Sequence, residues 1–344
     1  MFISSILGKF YHDLAIDLGT SNTIIYAKGK GIVLNEPSVA AIKREATGKL
    51  KVLTIGREAK RMMGRTPGNI EVIRPMKDGV IADFDITLEM LRYFISKVYR
   101  RWGSIRTQII IAVPIGITPV EKKAVRECVE SVGANKVFLI EEPMAAAIGS
   151  GLPVTEPTCN MVVDIGGGTT EVAVISLASI VYSKSVRVAG DKIDEAIMQH
   201  LNRDHNFLIG LPTAELIKTT IGSAFPNVKT ETIEVRGRDL VSGIPKFLTI
   251  DSDEVRQMIS EELNTIVQTV ISALEQMPPE LSADILDRGI VLTGGGSMLK
   301  KLDVLLREIT KLPIIANEDA LFSVARGAGK ALDNFSILKA VRID

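Results

Sequence analysis

Asp17 and Asp164 stand 147 residues apart in nearly the same local sequence. One stretch reads Leu14-Ala-Ile-Asp17-Leu-Gly19-Thr20-Ser21-Asn22-Thr23, the other Met161-Val-Val-Asp164-Ile-Gly166-Gly167-Gly168-Thr169-Thr170. Each is an apolar run ending in Asp, then a turn of glycines and hydroxyls, then a β-branched run. Glycine permits close backbone approach, and successive exposed N–H groups with Thr and Ser hydroxyls form a concave set of donors suited to phosphate oxygens. Asp has the wrong sign for phosphate but suits a hydrated Mg²⁺, which is held by one or two carboxylates plus phosphate. A single Asp-Leu-Gly-Thr reads equally as a tight turn. Two copies on matching strand–turn–strand frames point instead to two related halves gripping a polyphosphate across a cleft, with Asp17 and Asp164 on the metal.

The elements that must position these turns can be read from periodicity and breakers. Further apolar strands follow each hairpin, at Gly31-Ile-Val-Leu34 and Ser179-Ile-Val-Tyr182. A Lys/Arg/Gly-rich stretch to about Gly68 reads as a small insertion, and Asp78-Gly79 as a turn. Helical spacing runs from Ile86 to Tyr99, and Gln108 to Val113 is a buried strand ended by Pro114. Pro119 opens a helix that Gly133 closes. A strand at Lys136 to Ile140 leads into an Ala/Gly-rich helix, Glu141-Glu142-Pro143-Met-Ala-Ala-Ala-Ile148, in the place of a connector between the repeats. Helices are expected at Asp191 to Asn202 and Pro212 to Ile221, around a polar insertion lasting to about Pro245. One long helix is expected over Ser252 to Met277, stopped by Pro278-Pro279. Gly289 to Thr293 is a strand running into the loop Gly294-Gly295-Gly296-Ser297, whose glycines allow close approach to a flat group, and then a helix from Met298 to Ile309. Strand–helix alternation in both halves makes the class α/β.

Composition narrows the function. The chain has 344 residues, 46% hydrophobic and 24% charged, so two domains are the natural expectation. Its 41 basic and 41 acidic residues cancel, which argues against a nucleic-acid partner. Cys128 and Cys159 form no CxxC motif and fit a reducing cytosol. His12, His200 and His205 have no ligand-like company, so no zinc site is expected. No apolar run approaches the eighteen or so residues of a membrane span. There is no GxxxxGK[ST], and no GxGxxG follows a strand, so the P-loop and the dinucleotide fingerprint are absent.

The first ten residues sort cleanly at 100° per residue. Phe2, Ile3, Ile6, Leu7 and Phe10 fill one arc, and Ser4, Ser5, Gly8 and Lys9 the other. Such a segment is either a terminal helix packed on its own domain or one lying in a membrane surface. Trp102, the single tryptophan, lies beside Arg100 and Arg101. It is either ordinary packing or a second contact with an anionic surface.

The order of hairpin, connector, hairpin, Gly190-Asp191 and glycine loop resembles the actin-like ATPase superfamily. The segments Lys30 to Ser38, Ile73 to Phe84 and Glu141 to Ile148 are similar to the MreB family of bacterial rod-shape-determining actins, and the likeness covers essentially the whole chain. The resemblance implies a duplicated actin-like (ribonuclease H-like) fold with an ATP cleft between two domains. The first would span 1–145, with a small subdomain at about 33–70 and a C-terminal return at 316–344. The second would span 146–315, with a small subdomain at about 189–245. It implies that Thr20, Ser21 and Asn22 line the first phosphate loop, and Gly166, Gly167, Gly168 and Thr169 the second. Gly190 and Asp191 would border the nucleotide, Glu215, Leu216, Ile217 and Lys218 would carry the ribose contacts, and Gly294, Gly295, Gly296 and Ser297 would cover the base. On spacing alone, Glu215 and Lys218 would equally be an exposed i,i+3 ion pair. Glu142 takes the place of the family's water-orienting residue, with Glu141 as the fallback; a charge at a helix N-terminus is the plain alternative for either.

The function so implied is an ATP- and Mg²⁺-dependent cytoskeletal ATPase, cytoplasmic and peripheral on the inner membrane. It would polymerise with itself and work with the cell-wall elongation machinery. A small-molecule kinase of the same fold would need an acceptor pocket and a further acid in the cleft-facing turns, which the sequence does not offer. A chaperone ATPase would need a peptide-binding domain, for which the chain leaves no room.

Overall fold

The structure is a computed structural model, and it describes residues 13–45, 50–99 and 107–343. The membrane-facing expectations at Phe2, Ile3, Ile6, Leu7, Phe10 and Trp102 lie outside those residues. The first half contains β1 (Leu14–Leu18), β2 (Asn22–Ala27), β3 (Gly31–Pro37), β4 (Ala40–Arg44), β5 (Leu50–Ile55), α1 (Arg57–Met62), β6 (Ile70–Ile73), β7 (Met76–Lys77), β8 (Val80–Ile81), α2 (Phe84–Val98), β9 (Gln108–Val113), α3 (Pro119–Ser131) and β10 (Lys136–Glu141). Helix α4 (Glu142–Gly149) leads into β11 (Asn160–Ile165), β12 (Thr170–Ser176), β13 (Ser179–Val186), α5 (Gly190–His205), β14 (Phe207–Leu208), α6 (Leu211–Ile221), β15 (Thr232–Asp239) and β16 (Pro245–Asp251). Then follow α7 (Ser252–Met258), α8 (Ser260–Gln276), α9 (Pro279–Arg288), β17 (Ile290–Thr293), α10 (Leu302–Thr310), β18 (Ile314–Ala316), α11 (Ser323–Asp333) and α12 (Phe335–Val341).

The duplication is plain in the two five-stranded sheets, ordered β10-β9-β1-β2-β3 and β13-β12-β11-β17-β18. In each, the Asp-bearing strand lies antiparallel to its hairpin partner and parallel to a strand on its other side. Asp17 stands opposite Ile24 and Ala112, and Asp164 opposite Glu171 and Thr293.

Strand alternation decides where those carboxylates point. Leu14, Ile16 and Leu18 enter a core packed with α2 and α3, whereas Ala15 belongs to a central core shared by both halves. Met161, Val163 and Ile165 enter the second outer core, whereas Val162 belongs to the central one. Asp17 has the parity of Ala15, and Asp164 the parity of Val162. Both aspartates therefore emerge on the inner faces, toward each other.

Helices α4 and α11 fill that interior and cross where side chains are smallest. A Cβ on Gly327 would collide with the Ala145 carbonyl, and one on Gly149 with the Ser323 carbonyl. Lys330 Nζ donates to the carbonyls of Ile148 and Gly149 at 3.2 and 3.0 Å, closing the C-terminus of α4.

Three expectations are corrected. The 252–277 helix is two, α7 and α8, joined at Ile259. The apolar stripe and a Leu263 N–H bond to the Ile259 carbonyl run across that break, so periodicity alone does not reveal it. The helix expected from Met298 starts at Leu302. Residues 295–298 form a 3₁₀ turn, and Lys300 is held extended by Ser223 and Ala224, whose N–H donates to its carbonyl at 2.8 Å. The polar insertion before Pro245 is also partly ordered, since β14, β15 and β16 form a three-stranded sheet.

The crossing yields a stability prediction. Gly327→Ala should lower unfolding stability by about 3 kcal/mol, because rigid backbone blocks the added methyl. Gly68→Ala, with open space around it, should stay within about 0.5 kcal/mol of the parent. Urea unfolding followed by circular dichroism compares the two, and equal midpoints would contradict the close crossing.

Candidate functional site

The two glycine turns meet tip to tip. A Cβ on Gly167 would overlap the Ser21 hydroxyl, and one on Gly168 would lie 2.7 Å from Thr20 Oγ1. Inside the second turn, Gly166 N–H donates to the Thr169 carbonyl at 2.9 Å. A third turn joins them. Asp78 and Gly79 both have positive φ, 50° and 78°, as a tight two-residue hairpin requires. Gly79 N–H donates to Thr20 Oγ1 at 2.9 Å, and Asp78 backbone lies 3.0 Å from a Cβ built on Gly168.

Below the tips lies a group of acids. Asp164 and Glu142 are buried, and Asp17 is half-buried at the cleft surface. Asp164 accepts from the Thr293 hydroxyl at 2.9 Å; Asp17 makes no hydrogen bond or ion pair among the described residues. Burial, then the Asp164 charge, pushes Asp17 up to about 8. Burial pushes Asp164 up to about 6 against the pull of Thr293. Glu142 is raised well above the ordinary carboxylate range by burial, then by the charges of Glu171, Asp17 and Asp164. Among the described residues no trio of His, Cys, Asp or Glu forms a closed metal cage. Two acids without a basic partner at an open cleft are instead the donor set for a cation that keeps its waters, so Asp17 and Asp164 fit Mg²⁺.

The second wall comes from α5, α6 and the 294–296 loop. The first amides of α5 are already engaged, since Asp191 N–H donates to the Gly167 carbonyl at 2.8 Å. Asp191 also accepts from Ser21 Oγ at 3.3 Å and pairs with Arg74 at 2.6 Å, linking the halves. Glu215 and Lys218 do not pair with each other. Glu215 bonds Lys60 of the first half at 2.8 Å, and Lys218 bonds Asp194 at 2.9 Å and the Gly190 carbonyl at 2.8 Å. Gly294 needs its positive φ of 81°, and a Cβ there would lie 2.6 Å from Asp164 Oδ1.

Together these groups line a cleft of about 370 Å³. Asp17, Thr20, Ser21, Asn22, Glu142 and Asp164 reach it, as do the turns 166–169 and 294–296, Gly190, Asp191, Glu215 and Lys218. Three of the expected residues do not. Ile217 points into the second outer core, Leu216 is exposed, and Ser297 turns its hydroxyl to the Gly294 carbonyl at 2.7 Å. Ile217 and Leu216 fail because the cleft face of α6 takes residues at i, i+3 and i+4, here Glu215, Lys218 and Thr219.

Sequence reasoning missed Gly79, Asp194 and Thr293. Asp78-Gly79 was legible as a turn, but nothing local says where its tip lands. Asp194 lies three residues after Asp191 on one helix face, which is the signal that could have found it. Its Oδ1 is buried without a partner.

Known proteins resemble the chain over most of its length. A family model described as MreB/Mbl protein matches residues 11–340. The chain is 56% identical to the cell shape-determining protein MreB of Escherichia coli K12, over 95% of this chain and 94% of that one. MreB5 of Spiroplasma citri bound to ADP is 34% identical with a TM-score of 0.89, covering 95% of this chain and 97% of that one. Its complex with AMPPNP gives 35%, 0.88 and the same coverage.

The Lys218–Asp194 pair generates a prediction, since the two side chains are only 16% and 4% exposed. Lys218→Met should cost about 3 kcal/mol, because it strands a buried carboxylate, whereas adding Asp194→Leu should restore most of that loss. Burial has pushed Asp194 up to about 6 with Lys218 opposing it. Urea titration of parent, single and double variants measures the coupling, and a double variant weaker than the single one would refute it.

Proposed function

This chain belongs to the MreB/Mbl family, and from that premise we propose that it binds ATP with Mg²⁺ in the cleft, hydrolyses it, and assembles into filaments. The filaments direct cell-wall elongation and rod shape from the inner face of the plasma membrane. The observation that carries the reading is the pair of opposed glycine turns on pseudo-equivalent strands, each with an inward aspartate beneath it.

The roles follow from the chemistry of each group. Amides of the turns at 19–22 and 167–169, with the hydroxyls of Thr20 and Thr169, donate to phosphate oxygens, and Ser21 joins them by turning its hydroxyl away from Asp191. Asp17 and Asp164 would hold Mg²⁺ through its water shell, and the ion supplies positive charge against the phosphates. Glu142 stands beside them in the same cleft, where its carboxyl oxygens can accept a hydrogen bond from the attacking water and orient it. Glu215 offers an acceptor to ribose. Lys218 acts by holding Asp194 and the start of α5, and Gly294 to Gly296 let the base lie close to backbone.

Self-association and membrane binding rest on family membership and on sequence pattern. No helix among the described residues is long and apolar enough to cross a membrane. A surface anchor built from Phe2, Ile3, Ile6, Leu7, Phe10 and Trp102 is weak alone, but a filament multiplies it.

Two measurements test the reading. Glu142→Ala should keep nucleotide affinity and lose phosphate release, and Asp164→Ala should lose Mg²⁺-dependent turnover; a Glu142→Ala chain that turns over like the parent refutes the assignment. Deleting residues 2–10 together with Trp102→Ala should release polymer from anionic liposomes while sparing polymer itself. Co-flotation equal to the parent's would put the anchor elsewhere.

A further inference from the structure

Glu171 is an acid that the roles above leave unused. It lies on β12 directly opposite Asp164, and Ala173 and Ile175 of the same parity line the central core. Its side chain therefore projects between the two sheets, where it is 1% exposed. Oε1 accepts from the Ile115 N–H at 2.9 Å and from Ser185 Oγ at 3.2 Å. Oε2 is buried with no partner.

The bond to Ile115 crosses between the halves. Ile115 follows β9, whose Val113 is in register with Glu141 on β10, so the Ile115 peptide lies beside the strand end that carries Glu142. Glu171 thus fastens the second hairpin to the turn that flanks Glu142.

We propose that Glu171 is a positioning residue, tying β12 to the Pro114–Gly116 turn and so setting Glu142 against the second glycine turn. The proposal rests on Glu142 acting on the attacking water. Reach matters here, more than charge. An acceptor must span from β12 to the Ile115 amide, and a misplacement of about 1 Å at a reacting group can cost about a hundredfold in rate.

The test separates reach from charge. Glu171→Gln keeps the length and the Oε1 acceptor but loses the charge; Glu171→Asp keeps the charge but is one methylene short. Hydrolysis of Mg-ATP, ATP affinity and hydrogen exchange at the Ile115 amide are measured on the full chain. Glu171→Gln should hydrolyse at close to the parental rate with Ile115 still protected. Glu171→Asp should turn over about ten- to a hundredfold more slowly with ATP affinity unchanged, and Ile115 should exchange at least about tenfold faster. A Glu171→Gln chain as slow as Glu171→Asp would overturn the proposal, and so would a Glu171→Asp chain with parental rate and protection. A parental chain that hydrolyses nothing would instead sink the reading of Glu142, and the exchange arm would then decide the tie alone.

Discussion

Like charges held together largely out of water constrain this molecule more than any other interaction. Asp17, Glu142, Asp164 and Glu171 gather on the inner faces of two sheets, and among the described residues none of them is in an ion pair. Desolvation is the largest influence on each, and the charge of a neighbouring acid follows for Asp17, Glu142 and Glu171. Carboxylates in that position must take up protons or meet a cation, because an uncompensated buried charge costs several kcal/mol. The remaining features of the cleft answer that demand. The walls above the acids are amides and hydroxyls, which present positive ends to whatever enters. Gly294 and Gly296 are glycines because a methyl would crowd Asp164 at the first and Ile165 at the second.

The halves are joined unequally. At the centre, α4 and α11 cross backbone to backbone inside a core that both sheets share. At the mouth the links are Lys60–Glu215, Arg74–Asp191 and Ser21–Asp191, polar contacts between partly exposed side chains. An exposed ion pair contributes about 1 kcal/mol or less, whereas moving two interlocked helices forfeits packing across the whole crossing. Opening at the mouth is therefore cheap beside any slip at the centre.

The local parts of this arrangement were legible in the sequence. The repeated Asp-Gly hairpins show because a strand's two-residue period and a glycine turn are both short-range signals, and the same period tells which way Asp17 and Asp164 face. The actin-like fold follows from the order of such elements. What the sequence hides is set by packing between distant elements. Lys218 and Glu215 suggest each other at i,i+3, yet each prefers a partner on another element, Asp194 and Lys60. The break at Ile259 leaves the apolar stripe intact, and the late start of α10 reflects a bridge from Lys300 to Ser223, 77 residues away.

The duplicated scaffold carries chemistry that is not duplicated. The residue opposite Asp17 is Ile24, whereas the residue opposite Asp164 is Glu171. Glu142 follows directly on β10, the outer strand of the first sheet. The equivalent strand of the second sheet, β18, ends at Ala316 and is followed by Asn317, which donates to Ser150 and Ser323 at 2.8 and 3.1 Å. The first half thus supplies Glu142 and the second supplies Glu171, and each half lacks the other's acid. Neither hairpin could assemble the pair alone. The two acids share the interior only because the α4–α11 crossing holds the inner faces together, and the Ile115–Glu171 bond registers that closure beside Glu142. A symmetric cradle can grip a phosphate chain from both sides, whereas the hydrolysis proposed above needs a water held on one side only, and the unpaired acids supply that asymmetry.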